Sequence, residues 1–516
     1  MADRSDRRPV RCVMAALIWG ALLHTPVAAQ TTALTADQPI ITQPNITATA
    51  RLESLETALA DGPQDTAIAM ITAAGLRGLV HLPDYAAVGE PDWSPRPKGA
   101  LQAQPMNLRL ALTMLSQAYG SDDVSDVLDA QPEENRSALV IRAGDVSLDD
   151  IRRLLRSMKL QQVSDVGPVT LTVPLVIWSG ASLHLQRGEV LNLSRTDGAF
   201  LMNFGLLQTQ DAVIASVGDT NASSPVFGSF LTTADGGVIQ AHRTRFVDLG
   251  FGRTQKFSGV AIMQGTIRTP HQQSWIEDSI FSGVMTVSVS LARDVLLRGN
   301  HFSNMRGRDL HVSRSIGAQI LLNVFSGRMR TNAIMVEDGS TGGRVAGNVV
   351  LQGKRAGIVV RNESADMTLA HNIVWRRDGA GIALIRSDCG RIAGNLVLDN
   401  GQKGVEVRIS QNALVADNAI VSNHSAGVWV SAQPPGAITY VRDNQMAENG
   451  SGVSAAQGES ILMQGNDFSR QFLQFLSGDL APQSAAVARD MRGADAILLT
   501  AGGSWPPTTT EPTCTD

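Results

Sequence analysis

The sequence contains little cysteine and few aromatic residues. The 516-residue chain has three cysteines and three tyrosines, and aromatic residues make up 4% of it. Cys12 lies in an N-terminal segment that we expect to be removed, so the fold cannot depend on a disulfide framework. An oxidising compartment would allow Cys389 and Cys514 to pair, but we interpret them as unpaired thiols. With 48 glycines, the composition favours many tight turns over a few large aromatic core clusters.

The sequence also lacks a long hydrophobic run. Its most apolar stretch, CVMAALIWGALL at 12–23, is too short to span a bilayer comfortably. Four arginines precede this apolar stretch: Arg4, Arg7, Arg8 and Arg11. After it come Val27 and Ala29, two small residues typical of the positions before a cleavage point. This pattern predicts a secretory signal peptide at 1–29, with an uncleaved anchor as the alternative. We therefore expect a periplasmic protein that has no membrane span after signal cleavage.

An excess of positive charge is missing as well. The chain has 43 Lys and Arg against 48 Asp and Glu, for a net charge of −5. The predicted signal peptide takes away four Arg and two Asp, so the remaining chain is more negative still. This balance argues against nucleic acid as a partner. It permits an acidic polymer, because local basic strips can oppose the mean charge.

The first third of the chain mixes helical and irregular patterns. Residues 30–50 are rich in Thr, Gln and Pro and are predicted to be a linker. Leucines at helical spacing follow, and Ser147 begins a capping-box pattern before the amphipathic stretch IRRLLRSM. We predict an N-terminal mixed α/β region at 51–165 that could cap one end of the following domain. It carries no constellation of catalytic residues.

A long repeat dominates the rest of the chain. Short β-branched runs alternate with Gly, Asn and Asp, which is typical of short strands. Eight asparagines recur at intervals of 22 to 26 residues: Asn300, Asn323, Asn348, Asn372, Asn395, Asn418, Asn444 and Asn466. Such a period indicates a solenoid whose coils stack their asparagines in a ladder. We predict an all-β-dominated fold: a right-handed parallel β-helix at 168–470 with a small N-terminal α/β cap region, a C-terminal cap at 471–500 and a disordered tail at 501–516.

The phase of the repeat predicts which side chains face outward. Ten and twelve residues after a ladder asparagine the sequence is apolar, as at Leu310 and Val312. These positions should point into the core, so Asp309 and His311 should share the outward face of one sheet. The same outward columns should contain Glu337, Arg361, Glu406, Arg408 and Trp429, with Arg386 one place further on. Alternatively, Asp309 and His311 are ordinary polar residues exposed to solvent on the surface.

An outward shelf of His, Asp and Arg suits an anionic polysaccharide. Arg matches a uronate carboxylate, and His can take a proton from the carbon beside that carboxylate. Return of a proton on the other face gives C5 epimerisation, whereas loss of the leaving oxygen gives β-elimination. Hydrolysis requires two facing carboxylates, and the sequence offers no convincing pair.

Three stretches within residues 138–470 are shared with a known family: VPLVIWSGASLHLQ, FGSFLTTADGG, and DVLLRGN followed by GRDLHV. They resemble the periplasmic mannuronan C5-epimerases of alginate-producing bacteria, and the last of them falls where that family has its DPHD motif. The resemblance implies a parallel β-helix that epimerises uronates. On this alignment, Asp309 and His311 match the first Asp and the His of the motif, and the family's His is the proposed base that abstracts the C5 proton.

The chain departs from the family's motif at several positions. Leu310 replaces Pro and Val312 replaces the second Asp. One coil further on, Asp338 or Glu337 stands where the family has an arginine that neutralises the substrate carboxylate. Tyrosines near the family's site are also missing, and Thr286 and Phe257 lie roughly at their places.

Three functions remain open from the sequence. The chain is an epimerase of an alginate-like acidic exopolysaccharide, a degenerate homologue that binds and guides such a polymer during export, or a lyase. The candidate catalytic residues are His311 and Asp309, and no metal or cofactor is predicted. An export complex is a further candidate partner. The candidate substrate-binding residues are Arg361, Arg386, Arg408, Arg330 and Lys256.

Overall fold

The computed structural model describes residues 44–60, 66–80, 91–132, 136–265, 268, 270, 272–327, 329–472, 474–507 and 514. The predicted signal peptide and most of the predicted linker lie outside these residues. Helix begins at Pro44, within the segment predicted to be a linker. The helices are α1 (Pro44–Ala60), α2 (Ala67–Ala73), α3 (Leu108–Tyr119), α4 (Val124–Asp129), α5 (Leu148–Ser157) and α6 (Ser484–Arg489), with 3₁₀ turns at Leu76–Leu79, Gln255–Phe257 and Ala481–Gln483.

Strands make up most of the described chain. They are β1 (Gln102–Asn107), β2 (Ser137–Val146), β3 (Val169–Leu171), β4 (Leu175–Ile177), β5 (Ala181–Leu185), β6 (Val190–Ser194), β7 (Leu201–Asn203), β8 (Leu206–Gln210), β9 (Val213–Val217), β10 (Leu231–Asp235), β11 (Val238–His242), β12 (Arg245–Val247), β13 (Gly259–Gln264), β14 (Trp275–Glu277), β15 (Ile280–Ser282), β16 (Thr286–Ser290), β17 (Leu296–Arg298), β18 (His301–Ser303), β19 (Leu310–Ser313), β20 (Gln319–Leu321), β21 (Val324–Ser326), β22 (Ile334–Glu337), β23 (Arg344–Ala346), β24 (Val349–Val350), β25 (Ile358–Arg361), β26 (Thr368–Ala370), β27 (Ile373–Trp375), β28 (Ile382–Ile385), β29 (Arg391–Ala393), β30 (Leu396–Leu398), β31 (Val405–Arg408), β32 (Leu414–Ala416), β33 (Ala419–Val421), β34 (Ala426–Ser431), β35 (Ile438–Arg442), β36 (Gln445–Ala447), β37 (Ser451–Ala456), β38 (Ser460–Gln464), β39 (Asp467–Arg470), β40 (Leu476–Gly478), β41 (Ile497–Thr500) and β42 (Gly503–Trp505).

The strands wind into a three-sided parallel solenoid. From β3 to β39 they fall in threes, and each strand pairs with the third strand before it and the third after it. The first sheet, sheet A, continues from β4 through β7 to β40; sheet B runs from β5 through β8, and sheet C from β3 through β6. The β-helix prediction is confirmed. The parallel pairing already includes β2, which joins sheets A and B and precedes the predicted start at residue 168.

Alternation along each short strand fills the interior. In sheet A, Leu310 pairs with Ile334 and Val312 with Val336, and all four side chains are buried. The inward direction predicted for Leu310 and Val312 is therefore correct. In sheet C, four interior rings stack from coil to coil at centroid distances of 5.0, 4.8 and 4.5 Å: Phe246, Phe281, Phe302 and Phe325.

The asparagine ladder is present as predicted. The Asn348 side-chain amide donates to Asn372 Oδ1 over 3.0 Å, and the Asn348 backbone N–H donates to the same oxygen. The eight ladder asparagines are buried. Because each side chain satisfies polar groups on two coils, the ladder removes the cost of burying backbone groups at a turn. A second ladder that the sequence analysis missed runs through Asn400, Asn423, Asn449 and Gln471.

The N-terminal helices lie along the sides of the solenoid. Leu112 and Leu115 of α3 pack on sheet A of the first coils, against Val176 and Met202. Ile68 of α2 packs on sheet B in the cluster around Trp275. Of these helices, α5 contacts the first coil, at β2 and β5. Its capping box at Ser147 is formed. The N-terminal region therefore covers two side faces as well as the first coil.

The C-terminal end is more ordered than the sequence suggests. The hairpin β41–β42 pairs antiparallel with β38 and closes sheet B. Gly503–Trp505 is a strand within the segment predicted to be a disordered tail. Cys389 and Cys514 form a disulfide, with a Cα–Cα distance of 5.7 Å. The interpretation of these residues as unpaired thiols was wrong, because the chain returns from the hairpin to the coil that contains Cys389.

Candidate functional site

His311 lies on the outer surface of sheet A, where two columns of side chains run along the solenoid. Strand register places His311 beside Ser288 and Met335, and places Ser313 beside Glu337. The predicted sharing of columns is confirmed for Glu406, Trp429 and Arg408. The first column continues through Ser288, His311, Met335, Val359, Ala383, Glu406 and Trp429; the second contains Ser290, Ser313, Glu337, Arg361, Ile385 and Arg408.

Four side chains form a continuous chain of polar contacts, named here the His311 cluster: Gln255, His311, Glu337 and Arg361. His311 Nε2 lies 2.6 Å from Glu337 Oε1. Arg361 donates to Glu337 Oε2 through Nε at 2.6 Å and Nη2 at 2.5 Å. Gln255 Nε2 lies 3.1 Å from His311 Nδ1. The guanidinium therefore reaches His311 through the intervening carboxylate.

The hydrogen-bond network assigns the tautomer of His311. Ser313 Oγ donates to Gln255 Oε1 over 3.1 Å, which leaves the Gln255 amide nitrogen as the group facing Nδ1. An amide N–H can only donate, so Nδ1 accepts and Nε2–H donates to the Glu337 carboxylate. In the neutral imidazole, Nδ1 is thus the accepting nitrogen, and Gln255 covers it.

The loop that contains Gln255 is fixed by a distant helix. Asp123, which precedes α4, accepts hydrogen bonds from the backbone N–H groups of Arg253 and Thr254. Gln255 comes from a coil two turns before His311 and was missed by the sequence analysis. The long sequence separation between Asp123 and this loop hides the contact from an analysis of sequence patterns.

Glu337 is ionised and well compensated. The side-chain hydrogen bond with His311 is the largest cause that lowers its pKa to about 2, and Arg361 adds to this effect against the opposing effect of burial. Side-chain exposure is 6% for His311, 7% for Glu337 and 38% for Arg361. Both carboxylate oxygens of Glu337 therefore have partners, and the cluster opens to solvent at Arg361.

Asp309 is not part of this cluster. It precedes β19, is 1% exposed, and its Oδ2 has no hydrogen-bond partner among the described residues. Burial raises its pKa well above the usual value, and the charge of Arg377 partly opposes this rise. The prediction that Asp309 stands with His311 on an exposed face is wrong, since its carboxyl is buried and coupled electrostatically to the buried Arg377.

The predicted arginines fall into different places. Arg408 is exposed in the second column, Arg386 is exposed just after β28, and Arg330 is exposed before β22. Asp338 is also exposed, and it accepts a hydrogen bond from Asn362. The structure joins only Arg361 to the His311 cluster.

Lys256 is withdrawn from the surface. Its side chain is buried, its ammonium donates to the Gly120 carbonyl, and burial lowers its pKa. It therefore holds α3 to the loop bearing Gln255. Of the residues at the places of the missing tyrosines, Phe257 is buried in the aromatic cluster under α3, and Thr286 donates to a backbone carbonyl.

The described part of the chain contains no helix that is both long and apolar enough to cross a membrane. Among the described residues, no group of three or more His, Cys, Asp or Glu side chains is placed to hold a metal ion.

The fold and the outward columns place the protein among the parallel β-helix proteins. Residues 327–475 match the family model described as periplasmic copper-binding protein (NosD). A mannuronan C5-epimerase of Pseudomonas putida is 25% identical over 299 residues, which are 54% of this chain and 57% of that protein. The corresponding enzyme of Pseudomonas aeruginosa is 26% identical over 215 residues, 39% of each chain.

The solved structures give the same picture of the fold. The crystal structure of the periplasmic alginate epimerase AlgG matches with a TM-score of 0.54 and 21% identity, over 70% of this chain and 82% of that chain. The chain spans about half the length of the curated relatives it matches. In sequence the chain resembles mannuronan C5-epimerases, and it shares the β-helix fold with AlgG.

Proposed function

We propose that this protein is a polysaccharide C5-epimerase that acts on uronate residues of an alginate-like polymer, with His311 as the base. The observation that carries the proposal is the His311 cluster. It provides an imidazole, an ionised carboxylate behind it and a guanidinium at the solvent edge. The resemblance to mannuronan C5-epimerases supplies the substrate class.

The first half of the reaction is a proton transfer. His311 Nδ1 takes the proton from C5 of a uronate, and the electrons of the C–H bond move into the bond between C5 and the carboxylate carbon. The imidazolium that forms is stabilised by the charge of Glu337, which already accepts the Nε2–H. Delivery of a proton from solvent water to the opposite face of C5 then completes epimerisation, and the imidazolium of His311 returns its proton to solvent.

The carboxylate of the substrate needs a cation while this charge builds up. Arg361 presents its guanidinium beside Glu337, and its side chain is 38% exposed to solvent. Its fork can pair with a second carboxylate while it holds Glu337. Glu337 therefore orients both the base and the carboxylate-binding group, which explains how an acid is tolerated where the related family has an arginine.

Gln255 must move before the base can act. Its amide nitrogen covers the only nitrogen of His311 that is free to accept a proton. A uronate that enters the site therefore has to displace Gln255 from Nδ1. The loop that contains Gln255 is tied to Asp123 by backbone hydrogen bonds, so a rotation of the side chain suffices for this opening.

The proposal also includes the compartment in which the protein acts, the periplasm, and its contacts with other molecules there. The basic and apolar N-terminal segment supports export to the periplasm, and the relative AlgG is described as periplasmic. The remaining proposed contacts to the polymer are the exposed Arg386 and Arg408 further along the solenoid. An export complex is a further proposed partner.

Incubation of the purified protein with mannuronate polymer in deuterated water tests this function by NMR. We expect deuterium at C5 together with the epimeric uronate. His311→Gln should lower incorporation by about 10²- to 10⁴-fold, because general-base catalysis contributes about that much. Arg361→Gln should also lower it, because the developing carboxylate charge loses its cation.

An exposed arginine outside the columns, Arg293→Gln, is the matched control and should exchange deuterium at the wild-type rate. An unsaturated product would identify a lyase instead. Binding of the polymer without any deuterium at C5 would show a guiding protein and refute epimerisation.

A further inference from the structure

We propose that a second site for a uronate unit lies on sheet B, in a cleft between β5, β8 and a segment that crosses them. Its ligand class rests on the proposed function. The cleft has a volume of about 320 Å³, within the range of small-ligand pockets. Its lining includes Trp93, Ser94, Arg96, His184 and Gln208.

The crossing segment, residues 91–98, is named the strap and is pinned at Ser94. The backbone N–H of Ser94 donates to Gln240 Oε1 over 2.8 Å, and its carbonyl accepts from Gln208 Nε2 over 2.8 Å. Gln240 Nε2 also donates to Ser94 Oγ over 2.7 Å. Because both glutamines project from sheet B, the strap has a fixed register, and Trp93 and Arg96 are held on either side of the pinned residue.

A carboxylate at the back of the cleft organises two nitrogen-containing side chains. Asp145 Oδ1 accepts from Ser182 Oγ at 2.6 Å and lies 3.0 Å from His184 Nδ1. Arg96 Nη1 lies 3.5 Å from Asp145 Oδ2, and Arg96 Nε donates to Gln208 Oε1 at 2.8 Å. Burial raises the pKa of Asp145, but these hydrogen bonds and charges outweigh burial and lower it. Asp145 is thus ionised and already occupied.

The groups that remain for a ligand are a cation, an imidazole nitrogen and an indole. Within the described residues, no hydrogen bond reaches His184 Nε2. The Arg96 side chain is 42% exposed. Trp93 is 41% exposed and packs against Trp275 at a centroid distance of 4.6 Å. An indole platform beside directed polar groups suits the C–H face of a pyranose ring, and the Arg96 fork suits its carboxylate.

These features assign a uronate to the cleft in preference to a neutral sugar. Asp145 has its acceptors filled, so it offers little to further hydroxyl groups. Arg96 retains nitrogen donors that face the cleft, and a carboxylate would satisfy them. The cleft and the His311 cluster lie on different sheets, so the uronate held here is separate from the unit that reacts at His311. The cleft therefore anchors the polymer.

Calorimetric titration with two probes tests the cleft: a mannuronate tetrasaccharide and the neutral mannotetraose, at low salt. We expect the acidic probe to bind and the neutral one to bind at least tenfold more weakly. Arg96→Gln and His184→Gln should each weaken the sheet B binding event at least fivefold, and Arg96→Lys should restore part of it.

Arg293→Gln is the control variant, and thermal unfolding within about 2 °C of the wild type shows that each variant is folded. Equal affinity for the two probes, or wild-type affinity in Arg96→Gln, would overturn the proposed site. Binding that depends on Arg96 in a protein that incorporates no deuterium would support the cleft while the proposed function fails. Deuterium incorporation together with wild-type binding in Arg96→Gln would refute the cleft alone.

Discussion

His311 is engaged at both ring nitrogens, and this closed state defines the chemistry at the residue scale. Glu337 fixes the Nε2–H, and Gln255 covers Nδ1. The tautomer leaves Nδ1 as the basic atom. In the proposed mechanism, the substrate must displace Gln255 before Nδ1 can act as the base.

Asp309 is a residue whose burial should be visible in the pH dependence of stability. Its folded-state pKa is raised because the carboxyl is buried. A buried acid whose pKa is raised in the folded state makes the protein less stable as the pH rises. The free energy of unfolding falls by about 1.4 kcal/mol per pH unit between the pKa of the acid in the unfolded chain, near 4, and its pKa in the folded protein. We predict that Asp309→Asn removes this decline, as measured by denaturant unfolding between pH 4 and 8.

Asp366, an acid whose side chain is exposed to solvent, provides the matched control for this measurement. Asp366→Asn should follow the wild-type pH dependence. A parallel decline in Asp309→Asn and the wild type would contradict the assignment of Asp309 as a buried, uncompensated acid.

At the scale of elements, the asparagine ladder couples neighbouring coils. Asn372 links the coils on either side of it, donating to Asn395 Oδ1 and accepting from Asn348. Its removal leaves buried backbone and amide donors without acceptors, which costs about 1–3 kcal/mol per group. We predict that Asn372→Ala lowers the free energy of unfolding by at least that amount, as measured by chemical denaturation.

Gln402, which lies exposed on a turn of a nearby coil, is the control position. Gln402→Ala should unfold at the wild-type denaturant concentration. A small effect of Asn372→Ala, equal to that of Gln402→Ala, would mean that water replaces the ladder bonds and that the ladder contributes little to stability.

The strand pattern also shows what could be predicted for the elements. The interval between asparagines located the coils, and the alternation of Leu310 and Val312 gave the side on which His311 lies. Gln255 could not be found in this way, because its contact depends on Asp123 and on a loop outside the repeat. Asp309 was misplaced because it precedes the strand, where alternation no longer applies.

For the whole molecule, the bond between Cys389 and Cys514 ties the chain beyond the last hairpin to the middle of the solenoid. The bridged residues are 125 positions apart. A native disulfide contributes about 2–4 kcal/mol, mainly by restricting the unfolded chain. We predict that Cys389→Ser and Cys514→Ser each lower the thermal midpoint and that the double variant equals either single one.

Peptide mapping by mass spectrometry without reduction should recover the two cysteines in one linked peptide pair. Free thiols at both positions in protein purified from an oxidising compartment would contradict the bond. Additive effects of the two single substitutions would show that each cysteine acts through its own packing instead.

The helices that pack on the sides of the solenoid determine which of its faces remain open to a polymer. Helix α3 closes sheet A over the first coils, and α2 closes part of sheet B. His311, Glu337 and Arg361 lie beyond the coils covered by α3, and the strap cleft lies on sheet B beside β5. The two proposed binding sites therefore lie on separate stretches of the solenoid that these helices leave open.

The sequence by itself determined the solenoid, its ladder and the side of the sheet that bears His311, because these follow from a local period and from strand alternation. Only the tertiary structure decided that Glu337 pairs with His311 and Arg361, that Gln255 covers the base, and that Asp309 and Lys256 are buried. Each of these contacts joins residues from different coils or from outside the repeat. Their geometry depends on how loops and helices pack onto the coils, which no local periodicity specifies.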